Sequence, residues 1–288
     1  MKLEKIITLA SSGVRLRFLA MERSLRATGC NLPLWVIPYN DQRFELPENA
    51  TWWEIPELTG WLKENNVFPA IKKYQCFLTS NYQFVDSDII FLTNPEVALN
   101  SAQGFVTSCI HWVNPSHTYT GESLSYLEAK TTTWQKDIFN SGQFACDKQL
   151  YTLDDLKATC LKYKSTLLVD TPLYKDQPAI NLLVNLSPVT ISNLTLPPYD
   201  MESTWAGSYT NKDYEKYWTT ERKKPYLIHW AGCLMNTGRP IDKLFLQYLT
   251  KKEKEEWERQ LQNKKDSFLS RIRVRLSKFK KGLKLMIS

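Results

Sequence analysis

The chain has 288 residues, 43% of them hydrophobic, which is enough for one large domain or for a domain with an appendage. Its six cysteines are widely spaced and include no C-x-x-C pair, so buried free thiols are favoured over a disulfide framework or a zinc site. No apolar run reaches the roughly 18 residues of a membrane-spanning helix. The apolar run at residues 6–10 is too short for a signal peptide. We therefore expect a cytoplasmic protein. The formal net charge of the chain is +7.

Strand-like and helix-like patterns alternate along most of the chain. Such alternation predicts a mostly parallel, doubly wound sheet, in which ligands lie at the carboxyl ends of the strands. The sequence contains neither G-x-G-x-x-G nor G-x-x-x-x-G-K-[ST], which disfavours a dinucleotide-dependent dehydrogenase and a P-loop enzyme. The predicted strands are residues 4–10, 34–38, 52–55, 82–85, 104–109, 139–146, 189–196 and 226–230, and the predicted helices are residues 14–27, 70–79, 153–163, 177–186 and 241–262.

The triplet Asp86-Ser87-Asp88 lies between two apolar runs, residues 82–85 and 89–92. Burial of an ionised carboxylate among apolar residues costs several kcal/mol unless the carboxylate is paired or bound to a metal. Two acids so close together are therefore expected to bind a cation. Carboxylate oxygens suit Mn²⁺ or Mg²⁺, ions that also bridge proteins to nucleotide phosphates. A solvated turn is the alternative, because D-x-D also occurs by chance.

Four segments follow one another in a particular order: Val85–Asp88, Phe139–Gly142, Asp176–Asn181 and Ile228–Gly232. In this order the sequence resembles the GT-A-fold glycosyltransferases, especially retaining enzymes similar to family 8, over roughly residues 4–240. The resemblance implies an α/β fold with a Rossmann-like doubly wound mixed sheet in one domain, residues 1–245. Residues 246–263 would then form a helical connector and residues 264–288 a basic amphipathic tail.

The resemblance implies a divalent ion, Mn²⁺ or Mg²⁺, held by Asp86, Asp88 and His229. Such an ion neutralises the diphosphate of a nucleotide sugar and stabilises it as a leaving group. Taken alone, His229 would be interpreted as a hydrogen-bonded core histidine, and its position in His-x-x-Gly favours the ligand role instead. The donor-binding residues that the resemblance implies are Ala10, Ser11, Lys73, Asp86, Asn140, Ser141, Gly142 and Gly232.

The resemblance places Asp176 and Gln177 beside the donor sugar as catalytic residues, with Asp176 on its hydroxyls and Gln177 near the anomeric carbon. Their position favours retention of configuration. An aspartate at the start of a helix is otherwise simply an N-cap. An inverting enzyme would need a carboxylate base on the acceptor side, which Asp200 or Glu202 could supply.

These assignments predict a metal-dependent glycosyltransferase that uses a nucleotide diphosphate-sugar, expected to be a UDP-sugar. The acceptor is unknown, with a lipid-linked or saccharide acceptor as the options. A non-catalytic nucleotide-sugar-binding protein and a nucleotidyltransferase remain the alternatives. The family-8 pattern usually continues from H-x-x-G to a lysine three residues later, whereas here Cys233–Asn236 follow Gly232 and Arg239, the candidate replacement for that lysine, comes later. This departure leaves the identity of the donor open.

The segment Lys264–Ser288 contains nine lysine or arginine residues and one aspartate, a charge of 9 − 1 = +8. Six apolar residues recur in it at helical spacing, which predicts a basic amphipathic helix that binds an anionic membrane surface. A helix docked on the domain is the alternative, and nucleic acid is disfavoured because the charge belongs to one helix with an apolar face. The apolar residues are Phe268, Ile272, Leu276, Phe279, Leu283 and Ile287.

We predict that the full chain co-sediments with anionic vesicles and is released by high salt, because salt screens the attraction between the basic residues and the lipid headgroups. A chain that ends at Asn263 should remain in the supernatant. Equal sedimentation of the two chains would contradict the prediction.

Overall fold

The computed structural model describes residues 1–170, 176–219, 224–235 and 238–263. Nine strands lie in these ranges, and most begin and end within a few residues of the predicted bounds. They are β1 (Lys5–Ala10), β2 (Leu34–Pro38), β3 (Ala50–Trp52), β4 (Tyr82–Asp86), β5 (Ile89–Phe91), β6 (Phe105–Thr107), β7 (Gln143–Cys146), β8 (Ile191–Asn193) and β9 (Leu227–His229).

The described ranges also contain ten α-helices and five 3₁₀-helices. None of the described helices is both long and apolar enough to cross a membrane. The α-helices are α1 (Arg15–Ala27), α2 (Pro56–Glu64), α3 (Pro95–Ala98), α4 (Gly121–Lys130), α5 (Leu153–Lys162), α6 (Lys164–Leu167), α7 (Gln177–Leu186), α8 (Tyr214–Trp218), α9 (Lys243–Leu246) and α10 (residues 251–263). The 3₁₀-helices are Ser12–Val14, Pro69–Leu78, Trp134–Asp137, Ala206–Ser208 and Pro240–Asp242.

The main sheet has seven strands in the order β3-β2-β1-β4-β7-β6-β8. The strands β1 to β4 pair in parallel, β8 is parallel to β6, and β7 is antiparallel to both of its neighbours. Therefore β7 begins at the edge of the sheet where the other six strands end. The predicted doubly wound mixed sheet is confirmed. A separate two-stranded antiparallel sheet contains β5 and β9.

Both faces of the main sheet are buried. All six residues of β1 are buried, and alternate side chains join different apolar clusters, because successive strand residues point to opposite faces. One cluster contains Ile7, Leu9 and Phe84, and the other contains Ile6, Ala10 and Val85. Because both faces are buried, the central strands are recognisable in the sequence as continuous apolar runs.

A third cluster joins the small sheet and α10 to α1. Leu16 of α1, Ile90 of β5, Ile228 of β9 and Trp257 of α10 are all buried in it. Two ion pairs lie beside these contacts, Arg15–Glu256 at 2.7 Å and Arg23–Glu253 at 2.6 Å. Thus α10 packs against α1. The division of the chain at residues 245 and 263 stays a prediction, and the predicted tail lies outside the described residues.

Four predicted segments differ in the structure, the first of them the strand predicted at 52–55, which lies at Ala50–Trp52. The helix predicted at 70–79 is a 3₁₀-helix, Pro69–Leu78, buried on nearly every side, so no exposed stripe marks its period. The helix predicted at 241–262 is three pieces: Pro240–Asp242, α9 and α10. The strand predicted at 139–146 begins only at Gln143, and its first four residues form a loop.

The pair between Arg23 and Glu253 predicts a pH-dependent stability. The hydrogen bond from Arg23 lowers the pKa of Glu253 from about 4.5 to about 2. This contribution to folding is present above pH 4.5 and is lost as the pH falls towards 2, because the unfolded chain binds the proton first. The variant Glu253→Gln should therefore lose stability at neutral pH and approach the wild type at low pH, as measured by urea unfolding at several pH values. The exposed Glu255→Gln variant on the same helix is the control, and a constant difference across this range would contradict the prediction.

Candidate metal centre and donor site

Asp86, Asp88 and His229 lie together where β4, β5 and β9 meet. Asp86 ends β4, Asp88 precedes β5, and His229 ends β9 opposite Ile89. The backbone N–H of Trp230 donates to the Asp88 carbonyl at 3.0 Å, which holds the two segments in register. One potential ligand atom from each of the three side chains lies within 4.8 Å of the others, and His229 Nε2 is 3.3 Å from Asp88 Oδ1. The structure therefore brings the three predicted metal ligands together.

The two carboxylates of this centre have different electrostatic surroundings. Burial raises the pKa of Asp86, and the neighbouring Asp88 and Asp176 raise it further, against the opposing effect of Lys73. Burial also acts against ionisation of Asp88, but His229 and its hydrogen bond outweigh it and lower the pKa of Asp88. Two carboxylate oxygens and one imidazole nitrogen so close together are a donor set that fits a small divalent cation.

Lys73 is buried beneath this centre and joins it to Asp176. Its ammonium lies 2.9 Å from Asp86 Oδ1 and 2.7 Å from Asp176 Oδ2, and it donates to the Ser141 carbonyl at 3.3 Å. An ammonium has three N–H donors, and three protein oxygens lie within reach. Burial disfavours the charge, but the two carboxylates outweigh it and raise the pKa of Lys73 above its ordinary value. The predicted contact between Lys73 and the donor stays a prediction.

Asp176 and Gln177 lie at the start of α7 and turn their side chains towards the site. Asp176 is the N-cap residue, yet its side chain makes no capping hydrogen bond and pairs with Lys73 instead. The capping interpretation is therefore wrong for this side chain. Gln177 accepts a hydrogen bond from Asn140 Nδ2 at 2.9 Å, and its Nε2 donates to the carbonyl of His117 at 3.1 Å.

The loop at Asn140–Gly142 places the backbone against the metal centre. Asn140 Oδ1 accepts from the Gly142 N–H at 2.8 Å, and the Gly142 carbonyl accepts from the Asp86 N–H at 2.7 Å. A Cβ on Gly142 would lie 2.6 Å from Asp86 Oδ2 and closer still to His229 Cε1. Only glycine therefore fits without displacing two members of the centre. Ser141 is buried beside it.

The other predicted donor residues lie at the edges of the site. Leu9 pairs with Asp86, so Ala10 and Ser11 follow at the carboxyl end of the neighbouring strand. Both are buried. Gly232 has a φ of +65°, a backbone conformation that side chains rarely adopt, three residues beyond His229. Arg239 donates to the Leu234 carbonyl at 3.0 Å and so braces the loop after Gly232.

Four residues near the centre have no signal in the sequence that separates them from structural residues. The His117 carbonyl holds Gln177, and the Thr204 carbonyl accepts from the His229 N–H at 2.7 Å. Trp205 forms a parallel bridge with His229. Burial, with smaller effects from His229 and His117, lowers the pKa of His111 to about 4, so its imidazole is neutral at pH 7.

Solved glycosyltransferase structures share this fold. The galactosyltransferase LgtC, in complex with donor and acceptor sugar analogues, has a TM-score of 0.56 and 12% identity over 85% of this chain and 94% of its own. The bifunctional glycosyltransferase WbbM has a TM-score of 0.53 and 14% identity over 90% of this chain. This chain spans only about half, 52%, of the WbbM chain. An active-site Gln→Glu mutant of LgtC has a TM-score of 0.50 and 12% identity.

No family model and no curated protein matches the sequence. At such low identity the structural matches establish the fold alone. The fold is that of the GT-A glycosyltransferases, which confirms the fold that the four sequence segments predict.

We predict that Gly142→Ala weakens Mn²⁺ binding on the order of tenfold or more, because the added methyl displaces Asp86 and His229, as mutations around metal ligands commonly do. Calorimetric titration with Mn²⁺ in the presence of UDP measures the effect. The control is Gly60→Ala in α2, where a Cβ meets no atom within 4 Å. Unchanged Mn²⁺ affinity in Gly142→Ala would contradict the close approach seen here.

Proposed function

We propose that this protein is a metal-dependent glycosyltransferase that moves a sugar from a UDP-sugar to an acceptor. The observation that supports it most directly is the linkage of two clusters by one buried lysine. Lys73 contacts Asp86 of the metal centre and Asp176 of the predicted sugar site within 2.9 Å. A nucleotide sugar has its groups in the same spatial order, with the anionic diphosphate next to a hexose that carries hydroxyl groups.

In this proposal Asp86, Asp88 and His229 hold Mn²⁺ or Mg²⁺. The bound ion supplies Lewis-acid stabilisation of the departing diphosphate. The imidazole nitrogen suits a transition ion and the carboxylates suit either, so the donor set favours Mn²⁺. Gly232 offers its backbone N–H to the diphosphate. Ala10 and Ser11 line the nucleotide pocket, as they lie at the carboxyl end of the strand beside Asp86.

The donor sugar is assigned to the polar cluster around α7. Asp176 Oδ2 pairs with Lys73, and its other oxygen is assigned to the sugar hydroxyls. Asn140 holds the side chain of Gln177 in place, beside the position assigned to the anomeric carbon. The structurally similar LgtC also has a glutamine in its active site, as its Gln→Glu mutant describes. These features favour retention of configuration.

Two alternatives remain for the reaction itself. An inverting enzyme would use a carboxylate base such as Asp200 or Glu202, and the anomeric configuration of the product, read by NMR, distinguishes the two stereochemical courses. A nucleotide-sugar-binding protein without catalysis would bind the donor but release no UDP. The proposed acceptor is a saccharide or a lipid-linked saccharide, and the proposed membrane partner is the anionic surface that Lys264–Ser288 is predicted to bind.

We predict that the protein hydrolyses a UDP-hexose slowly without an acceptor and only with Mn²⁺ or Mg²⁺. The variant Asp88→Ala should abolish this hydrolysis and the metal dependence of UDP binding, because it removes a ligand from the centre. Release of UDP from a panel of UDP-hexoses is the measurement.

The matched control is Asp213→Ala, an acidic residue whose side chain is 69% exposed at the start of α8. Full activity in Asp88→Ala, or wild-type hydrolysis in the presence of a chelator, would overturn the proposed metal-dependent reaction.

A further inference from the structure

An exposed indole lies beside the metal centre, outside the residues assigned to the donor. Trp205 forms a bridge with His229, and 42% of it is exposed. Its Nε1–H donates to the carbonyl of Ala231 at 2.9 Å, which fixes the ring against the loop that follows His229. Exposed tryptophan is uncommon because so much apolar surface is costly in water.

The ring is held with one face covered. A Cβ built on Gly207 would lie 2.5 Å from both Cε2 and Cη2 of Trp205 and closer still to Cζ2 between them. Near-equal distances to three successive ring atoms place Gly207 over the plane of the ring. The solvent-exposed part of the Trp205 ring is therefore its opposite face and outer edge, which form a flat apolar surface of fixed orientation.

The segment around Trp205 is rigid as well. The Thr204 hydroxyl donates to the Ser108 carbonyl and accepts from Gln143 Nε2 at 3.3 Å, while Ser203 Oγ accepts from the Trp205 N–H at 3.1 Å. These bonds tie the segment to the end of β6 and the start of β7. A ring that is already immobilised loses little conformational entropy when a ligand packs on it.

The sheet order separates this ring from the proposed nucleotide pocket. Along the site edge, β1 with Ala10 lies on one side of Asp86, and β7 and β6 lie on the other. Trp205 is tied to the β6 and β7 side through Thr204. The nucleotide pocket proposed at Ala10 and Ser11 and the indole of Trp205 therefore lie on opposite sides of the candidate metal centre, and the ring is positioned for the second substrate.

We propose that Trp205 is the stacking platform of an acceptor-saccharide subsite, in which the C–H face of a pyranose ring stacks on the exposed face of the indole. The negative face of an aromatic ring attracts the slightly positive C–H groups on one side of a pyranose. The identification of this saccharide as the acceptor rests on the proposed function. The platform would favour acceptors with several equatorial substituents, because these leave one ring face free of hydroxyls.

The first test observes the tryptophan indole N–H signals of the full chain by ¹⁵N-correlated NMR with Mg²⁺ present, and Trp205→Phe assigns the signal of Trp205. Methyl glycosides of glucose, galactose and N-acetylglucosamine should shift that signal saturably, whereas UDP should shift other signals. A shift of the Trp205 signal with UDP but with no glycoside would make the ring a nucleobase platform and overturn the proposal. The absence of any glycoside-dependent shift would also overturn it.

The second test separates the acceptor from the donor. Trp205→Ala should raise the acceptor KM about tenfold or more, as is typical when an aromatic anchor is truncated, and should change the KM for the UDP-sugar in donor hydrolysis far less, because the bridge to His229 is made by the backbone. Trp205→Phe should restore most of the affinity, and Gly207→Ala should mimic the loss by pushing the ring from its position. Tyr217→Ala, at an aromatic residue 51% exposed on α8, is the control.

An unchanged acceptor KM in both Trp205→Ala and Gly207→Ala would overturn the subsite. Wild-type protein that hydrolyses no donor would instead overturn the proposed function, and the glycoside-induced shift would still decide whether Trp205 binds a saccharide.

Discussion

The arrangement of the site depends on one buried ammonium between two carboxylates. Lys73 is 3% exposed and is within ion-pair distance of both Asp86 and Asp176. Breaking a buried pair by removal of one partner costs about 3–5 kcal/mol in proteins where it has been measured. Neither Asp86 nor Asp176 can therefore move far without leaving charge unpaired. The strand that ends at Asp86 and the helix that starts at Gln177 are held at one separation.

The antiparallel direction of β7 also fixes the arrangement of the site. Because β7 begins where β4 ends, the loop before it reaches the metal centre from the side, and the Gly142 carbonyl accepts from the Asp86 N–H. Asn140 then holds Gln177 by a side-chain hydrogen bond. A parallel strand at this position would begin at the far edge of the sheet and could not bring its first residues here. One strand direction thus links three of the four sequence segments.

The features that can be predicted from the sequence are those that depend on local residue patterns. The apolar strands β1 and β4 are recognisable because both faces are buried, and the order of four short motifs identifies the fold. The sequence cannot show that Asp176 pairs with Lys73 instead of capping its own helix, since an N-cap and an ion-pair partner are the same residue type. Nor does it indicate Trp205, whose importance comes from a bridge to His229, a residue 24 positions later in the chain. The helix α4 was also missed, although Thr120 and Ser123 form a capping box at its start.

The packing of α10 on α1 has a geometric consequence. Glu253 pairs with Arg23, and Glu256, one turn later, pairs with Arg15, so α10 runs towards the amino end of α1. That end follows directly from Ser11, at the edge of the sheet where the site lies. Residue 263 therefore leaves the domain on the side of the metal centre. Should the following basic segment attach to a bilayer, the protein would be oriented with its site edge towards the lipid surface, and the proposed lipid-linked acceptor would reach it by diffusion in two dimensions.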